Sequence, residues 1–303
     1  MDPLQDVLSL LGTTSYLSAG MTAGGSWSVT FEPPAGVKFN AVSRGACRLA
    51  VDGLPEAVEL AEGDCFLLTQ PRAFQLYSDP AAPSIPAGTI FGGGVARAGS
   101  GDEVALIGGG FSFGARARAL LLDALPAVIH VPAAAPEAAT ALWALGQIDT
   151  ELRHEKPASG LVAEHLAIVM LIQILRLHLA RAPGSVAGWA AGLADPVVAS
   201  ALRSVHAHPA YPWTVAELAG AAAVSRSTMA ARFRAAVGRG PLEYLTGWRI
   251  ELAADRLRRD SGTVAAIARE VGYGSESALS VAFKRVMGVS PATYRRQADH
   301  SRL

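Results

Sequence analysis

The sequence predicts an α+β protein in two parts. An N-terminal antiparallel β-barrel with helices after it precedes an all-α C-terminal domain of two tandem helix-turn-helix units joined by a linking helix. Three observations carry that expectation. Residues 26–113 alternate Val, Phe, Leu and Thr with polar residues and break at short intervals at Gly, Pro or Asp. The stretch "VSRSTMAARF" at 224–233 is answered fifty positions later by "GSESALSVAF" at 274–283. The charge is divided: residues 195–303 hold 15 Lys+Arg against 9 Asp+Glu, so a net charge of zero conceals +6 there and −6 before it. A basic third on an acidic body suits a polyanionic partner for that third alone.

The strand candidates are "WSVTF", "VKFNAVSRG", "ACRLAVDG", "AVELAEGDCFLL" and "VALIGGGFSFG". A long Pro/Gly-rich connection at 79–103 is a lid over a site or a mobile loop. After Gly114 the pattern turns helical, with helices expected over 137–155 and 160–181. The second spreads apolar residues too widely for packing on one side only, which points to a homodimer through Leu166, Val169, Ile172 and Leu177; a plain core helix is the alternative. Its longest apolar run, "LAIVMLIQIL", falls short of the roughly 20 residues of a membrane span, and no membrane association is expected. The N-terminus lacks the positive segment of a secretory signal. Two cysteines, Cys47 and Cys65, form no disulfide framework, which suits a cytoplasmic protein. The domain boundaries are set at 1–185 and 196–303, around "RAPGSVAGWAAGLADP".

The duplication extends beyond the quoted decapeptides. Gly238, Pro241 and Tyr244 are matched by Gly288, Pro291 and Tyr294, and Thr214-Val215 by Thr263-Val264. Thr214 and Glu217 have the spacing of a capping box, and Ser225 is a good N-cap for a second helix with Met229, Phe233 and Val237 on one face. Two short helices joined by a tight turn are a helix-turn-helix, whose second helix enters the DNA major groove. The linking helix, about 242–259, spans roughly 25 Å and would set the two recognition helices about 34 Å apart, one turn of B-DNA. A monomer could then grip two successive grooves of modestly bent, double-stranded DNA.

"PLEYLTGWRIELAADRL", "IAREVGYGSESA" and "FKRVMGVSPATYRR" resemble the arabinose-regulator (AraC/XylS) family of bacterial transcription factors across essentially the whole basic third. The N-terminal half resembles the cupin-type sensor domain of one branch of that family, with "GDCFLLTQP" as its Gly-Asp strand and turn. The resemblance implies a transcriptional activator that contacts promoter DNA and RNA polymerase, with a sensing and dimerising N-terminal domain.

Base readout is assigned to Arg226, Ser227, Thr228, Ala231, Glu276, Ser277 and Ser280, and phosphate contact to Arg232, Arg234, Lys284, Arg285, Arg295 and Arg296. The family's recognition helices often carry an Arg where this chain has Ala231 and Val281, which can at most touch a thymine methyl. Seven histidines occupy 130, 154, 165, 178, 206, 208 and 300, none of them in the expected barrel strands. Asn40 and Gln75 stand where related barrels often have His, and neutral amides are poor transition-metal ligands, so no metal, cofactor or catalytic residue is expected. A small-molecule effector pocket is assigned to Trp27, Phe39, Asn40, Arg48, Phe66, Gln75 and Tyr77. The triple glycines at 92–94 and 108–110 are expected at turns and strand ends. Two alternatives stay open: a barrel oxygenase or isomerase with a helical appendage, and a dimeric DNA-binding protein without an effector.

Overall fold

The computed structural model describes residues 2–10, 14–91, 95–112, 125–154, 156–181, 189–259 and 262–300. The chain divides into two units, one of residues 13–182 and one that joins residues 183–303 to residues 1–12. By contacts the first twelve residues group with the helical unit, whereas the sequence expectation counts them in a domain of 1–185.

The first unit is built from two sheets. One has the strand order β11 (Val128–Val131), β6 (Cys65–Leu68), β3 (Val37–Arg44), β10 (Val104–Ser112), β1 (Thr14–Gly24), β9 (Ala96–Gly99). The other runs β5 (Val58–Leu60), β4 (Cys47–Val51), β7 (Phe74–Tyr77), β2 (Ser28–Phe31), β8 (Ser84–Pro86). Period-two alternation sends Val42, Phe66, Leu68 and Leu106 of the first sheet, with Val29, Leu49, Phe74 and Leu76 of the second, into one core.

Two strand assignments differ from expectation. The 108–110 glycines lie inside β10, not at a strand end, with Gly108 opposite Asn40 and Gly110 opposite Lys38. His130 lies in β11, a strand the sequence pattern did not reveal, because its four residues pair only with β6 at a sheet edge. His130 Nε2 is 3.0 Å from Asp64 Oδ2, and Asp64 also accepts from the Ala133 and Ala61 backbone N–H groups. Burial works to raise the Asp64 pKa, but these donors together hold it below the usual range. Cys47 and Cys65 are buried and unbridged, and burial pushes both thiols up to about 12.

Helices α2 (Ala139–His154) and α3 (Ser159–Arg181) pack on one another, and α3 packs on β1. By length and composition α3 is apolar enough to cross a membrane, but here one face is buried in the unit. Leu177 is on that buried side, so it is withdrawn from the dimerising set, while Val169 is exposed and Leu166 and Ile172 are half-buried. Leu161 and Val162, members of the same wide apolar stripe in the sequence but outside the dimerising set, extend the exposed apolar face.

The second unit is helical: α1 (Pro3–Leu10), α4 (Trp189–Ala194), α5 (Pro196–Ala207), α6 (Val215–Ala221), α7 (Arg226–Val237), α8 (Pro241–Arg259), α9 (Val264–Glu270), α10 (Glu276–Met287) and α11 (Pro291–His300). The Thr214–Glu217 capping box forms in full, and Ser225, Thr263 and Ser275 each accept a backbone N–H as N-caps. Gly238 and Gly288 end α7 and α10 with φ of 79°, a left-handed cap glycine adopts freely. α8 supplies Ile250, Ala253, Ala254 and Leu257 to a core shared with Ile267, Leu279 and Phe283 of the second copy.

A buried polar chain ties α1 into this unit. Trp189 Nε1 donates to Tyr244 Oη at 2.6 Å, Tyr244 Oη lies 2.7 Å from His206 Nε2, and His206 Nδ1 lies 3.2 Å from Asp6 Oδ2. The ionised Asp6 carboxylate can only accept, so Nδ1–H of a neutral His206 donates to it, and Nε2 then accepts the hydrogen bond of the Tyr244 hydroxyl, whose oxygen accepts from the indole. Every group is satisfied with a neutral imidazole. Both His206 nitrogens are committed, so the His206-x-His208 spacing is not a ligand pair for metal.

Candidate DNA-reading surface and barrel cavity

In each helix-turn-helix the core-facing side of the second helix is apolar and the N-terminal half of the other side is open. Met229 and Phe233 of α7, and Leu279 and Phe283 of α10, are fully buried. Arg226, Ser227, Thr228 and Ala231 on α7 are exposed, as are Glu276 and Ser277 on α10, with Ser280 half-buried. The exposed set matches in position between the copies because the two helices start fifty residues apart and share their caps. Val281, left out of the base-reading set, is 71% exposed on the same side of α10 as Ser277. Its place four residues after Ser277, off the face of Leu279 and Phe283, was the signal that could have included it.

The six assigned phosphate cations divide. Arg234, Lys284 and Arg285 are exposed in the last turns of α7 and α10. Arg232 instead donates through Nε and Nη2 to Asp195 Oδ2, at 3.0 and 2.8 Å. Asp195 is the N-cap of α5, and these bonds, working against burial, keep its carboxyl below the usual range. Arg295 Nη2 donates to the Gly262 carbonyl at 2.6 Å, and Arg296 reaches Thr293 Oγ1 at 3.4 Å. Arg232 and Arg295 therefore serve the fold first, because their bonds to intramolecular acceptors are 3.0 Å or shorter, against 3.4 Å for Arg296.

The turns of the two copies fill their left-handed position with different residues. Ala223 holds a φ of 53°, whereas the matching residue of the second copy is Gly272 with φ of 87°. A Cβ on Gly272 would stand 2.6 Å from the Ala210 carbonyl oxygen, so glycine is required there by space as well as by backbone angle.

The other concave feature lies inside the barrel. A cavity of about 230 Å³ is lined by Met21, Phe31, Lys38, Asn40, Leu76 and Leu106, with Ala87, Gly88 and Phe91 from the long 79–103 connection closing one side. Of the effector residues assigned from sequence, Asn40 alone is in the wall. Trp27 and Phe66 pack in the barrel core beside it. Phe39 takes the opposite face of β3 and packs on Phe111 with ring centroids 5.5 Å apart. Gln75 and Tyr77 alternate with the cavity-lining Leu76, and Gln75 donates to Ser28 Oγ at 2.6 Å. Arg48 pairs with Glu59 on the exposed surface at 2.8 Å. The pattern of aromatic residues could not say which face of each strand was interior. Lys38, two residues from Asn40, was missed for the same reason.

Among the described residues, no three His, Cys, Asp or Glu side chains gather as a metal site.

These two features correspond to the families the chain matches. A cupin family model covers residues 2–180 and a helix-turn-helix domain model residues 218–297. A putative AraC-like transcription regulator of Streptomyces lividans is 63% identical over 98% of each chain. The chain belongs to the AraC-like transcription regulators. A second AraC-like regulator, from Streptomyces antibioticus, is 64% identical over 98% of this chain and 99% of its own. The DNA-binding domain of AdpA, solved in complex with a target DNA, is 33% identical across 36% of this AraC-like chain and 96% of that one, with a TM-score of 0.34. This AraC-like protein is a DNA-binding transcription regulator with a cupin domain ahead of its helix-turn-helix units.

Proposed function

We propose that this regulator binds promoter DNA as a cytoplasmic homodimer, activates transcription through RNA polymerase, and takes a small-molecule effector in the barrel cavity, with no catalytic role. The observation that carries the DNA part is the matched exposure of the first turns of α7 and α10, each capped by serine and backed by a buried Met or Leu and Phe. Arg226, Ser227, Thr228, Ala231, Glu276, Ser277, Ser280 and Val281 face bases in this reading, and Arg234, Lys284 and Arg285 face phosphates. Supporting dimerisation is the exposed apolar strip of Leu161, Val162 and Val169 on α3. Supporting an effector is the cavity, which carries Asn40 on an otherwise mostly apolar wall.

The deciding experiment is binding of the purified protein to the DNA upstream of its own coding sequence across a salt series, with random DNA beside it. Selective binding that weakens steeply with salt is expected. Equal affinity for both DNAs at every salt concentration, together with no enriched sequence from a random library, would overturn the sequence-specific reading.

A further inference from the structure

We propose that the two helix-turn-helix units read chemically opposite base edges: Arg226 reads a guanine in one half-site and Glu276 a cytosine in the other. This rests on the reading of α7 and α10 as the base-facing helices.

The first observation is a reversal of charge at one matched position. Arg226 and Glu276 are the first residues of α7 and α10, and each follows a serine N-cap. Side chains tilt towards a helix N-terminus, so a long one at the first position reaches ahead of the tip that enters the groove. Both are exposed, and among the described residues neither has a hydrogen-bond or ion-pair partner. A guanidinium donates, and guanine O6 and N7 accept from it in a pair. A carboxylate can only accept, and in the major groove only the amino groups of cytosine and adenine donate. Adenine sets its N7 acceptor beside that donor whereas cytosine sets none, so a carboxylate prefers cytosine. Guanine and thymine turn acceptors towards it and are rejected.

The second observation is the use of the neighbouring hydroxyls. In the first unit Ser225 Oγ lies 2.9 Å from Ser227 Oγ and 2.8 Å from Thr228 Oγ1, so both hydroxyls are engaged with the cap. That leaves Arg226 as the uncommitted donor at its tip. In the second unit Ser275 Oγ accepts the Ala278 backbone N–H, and Ala278 stands where the first unit has Thr228. Among the described residues the Ser277 hydroxyl is unengaged beside Glu276. One tip thus presents a cation, the other a carboxylate with a free hydroxyl and, one turn on, the exposed Val281. Glu276 also suits the positive end of the helix dipole, but that role carries no base preference.

The test is selection of binding sites for the full chain from a random duplex library, followed by binding to every single-base variant of the selected site. Wild type should select a guanine in one half-site and a cytosine about one helical turn away, and changing either should cost about fivefold or more. Glu276→Gln should move the cytosine position towards adenine, which a carboxamide reads in a pair, and should not move the guanine position. It should also bind random duplex more tightly, because one negative charge has gone. Arg226→Gln should move the guanine position alone. Retained binding of random duplex shows that both variants are folded. An unchanged base profile for Glu276→Gln would overturn the assignment and leave Glu276 a helix-end charge. A base other than cytosine at the position Glu276 controls would overturn it as well. If wild type selects no sequence at all, the sequence-specific reading falls, and this inference falls with it.

Discussion

Tyr244 Oη stands 2.7 Å from His206 Nε2, in a buried polar chain of the DNA-binding unit that accommodates a neutral imidazole. The His206 side chain has no exposed surface and stacks at 4.1 Å on Trp248, and burial pushes its pKa down to about 3. The unfolded imidazole titrates near 6.5. The stabilisation of the neutral ring is therefore complete above about 6.5 and is lost as the pH falls from there towards about 3. Asp6, whose carboxyl burial raises, works in the opposite sense below its own titration. Urea midpoints should decline from pH 7 to pH 4 in the wild type and more shallowly in His206→Gln. Parallel slopes in the two proteins would show that another group dominates.

Phe233 meets Tyr244 edge-on at 5.7 Å, and Phe283 meets Tyr294 in the same way at 5.4 Å. The duplicated pairs are alike in packing but not in hydrogen bonding. Tyr244→Phe strands the Trp189 Nε1 donor and the His206 Nε2 acceptor, each worth about 1–3 kcal/mol when buried and unmatched. Tyr294→Phe should cost under about 1 kcal/mol, within the range of a half-buried substitution. Equilibrium denaturation of both variants checks the ordering.

Val281 is the most exposed of the large apolar side chains among the described residues, and the only base feature it can distinguish is the thymine methyl. Burying one such methyl is worth about 0.8 kcal/mol, roughly fourfold in affinity. Replacing single thymines by deoxyuridine in a selected site should produce that loss at one position for the wild type and none for Val281→Ser. A flat profile for the wild type would assign Val281 no role in recognition.

Arg234→Gln, Lys284→Gln and Arg285→Gln should each weaken specific and random DNA alike and reduce the salt slope by about one. Arg232→Gln should behave differently. It removes both bonds to the α5 cap and should lower the melting temperature, an effect none of the other three shares. Melting curves and salt series on the four variants separate the two classes.

The helix-turn-helix pair was legible because its caps are local and written twice: Thr214, Ser225, Thr263 and Ser275 each act on residues within three positions. The buried face followed from the same four-residue spacing. The barrel interior was less legible. Asn40 stood out for its polarity, but Phe39 and Gln75 are as apt for a wall by composition and lie on the wrong side of their strands. A one-residue ambiguity in a short strand exchanges the two faces. The glycines of β10 were misplaced because their use depends on Asn40 and Lys38 across the sheet, some seventy residues away in the chain. The pairing of Asp6 with His206 depends on contacts between the two ends of the chain, and no local pattern encodes it.

The helix that opens the chain is a component of the unit that closes it. In connectivity the barrel is an insertion within the DNA-binding unit, tethered to it at both ends. A fragment beginning at residue 196 therefore lacks α1 and α4, and with them Asp6 and Trp189 at the two ends of the polar chain through Tyr244 and His206. Such a truncation loses both ends of that chain, and it should gain stability when a peptide of residues 2–10 is added in trans.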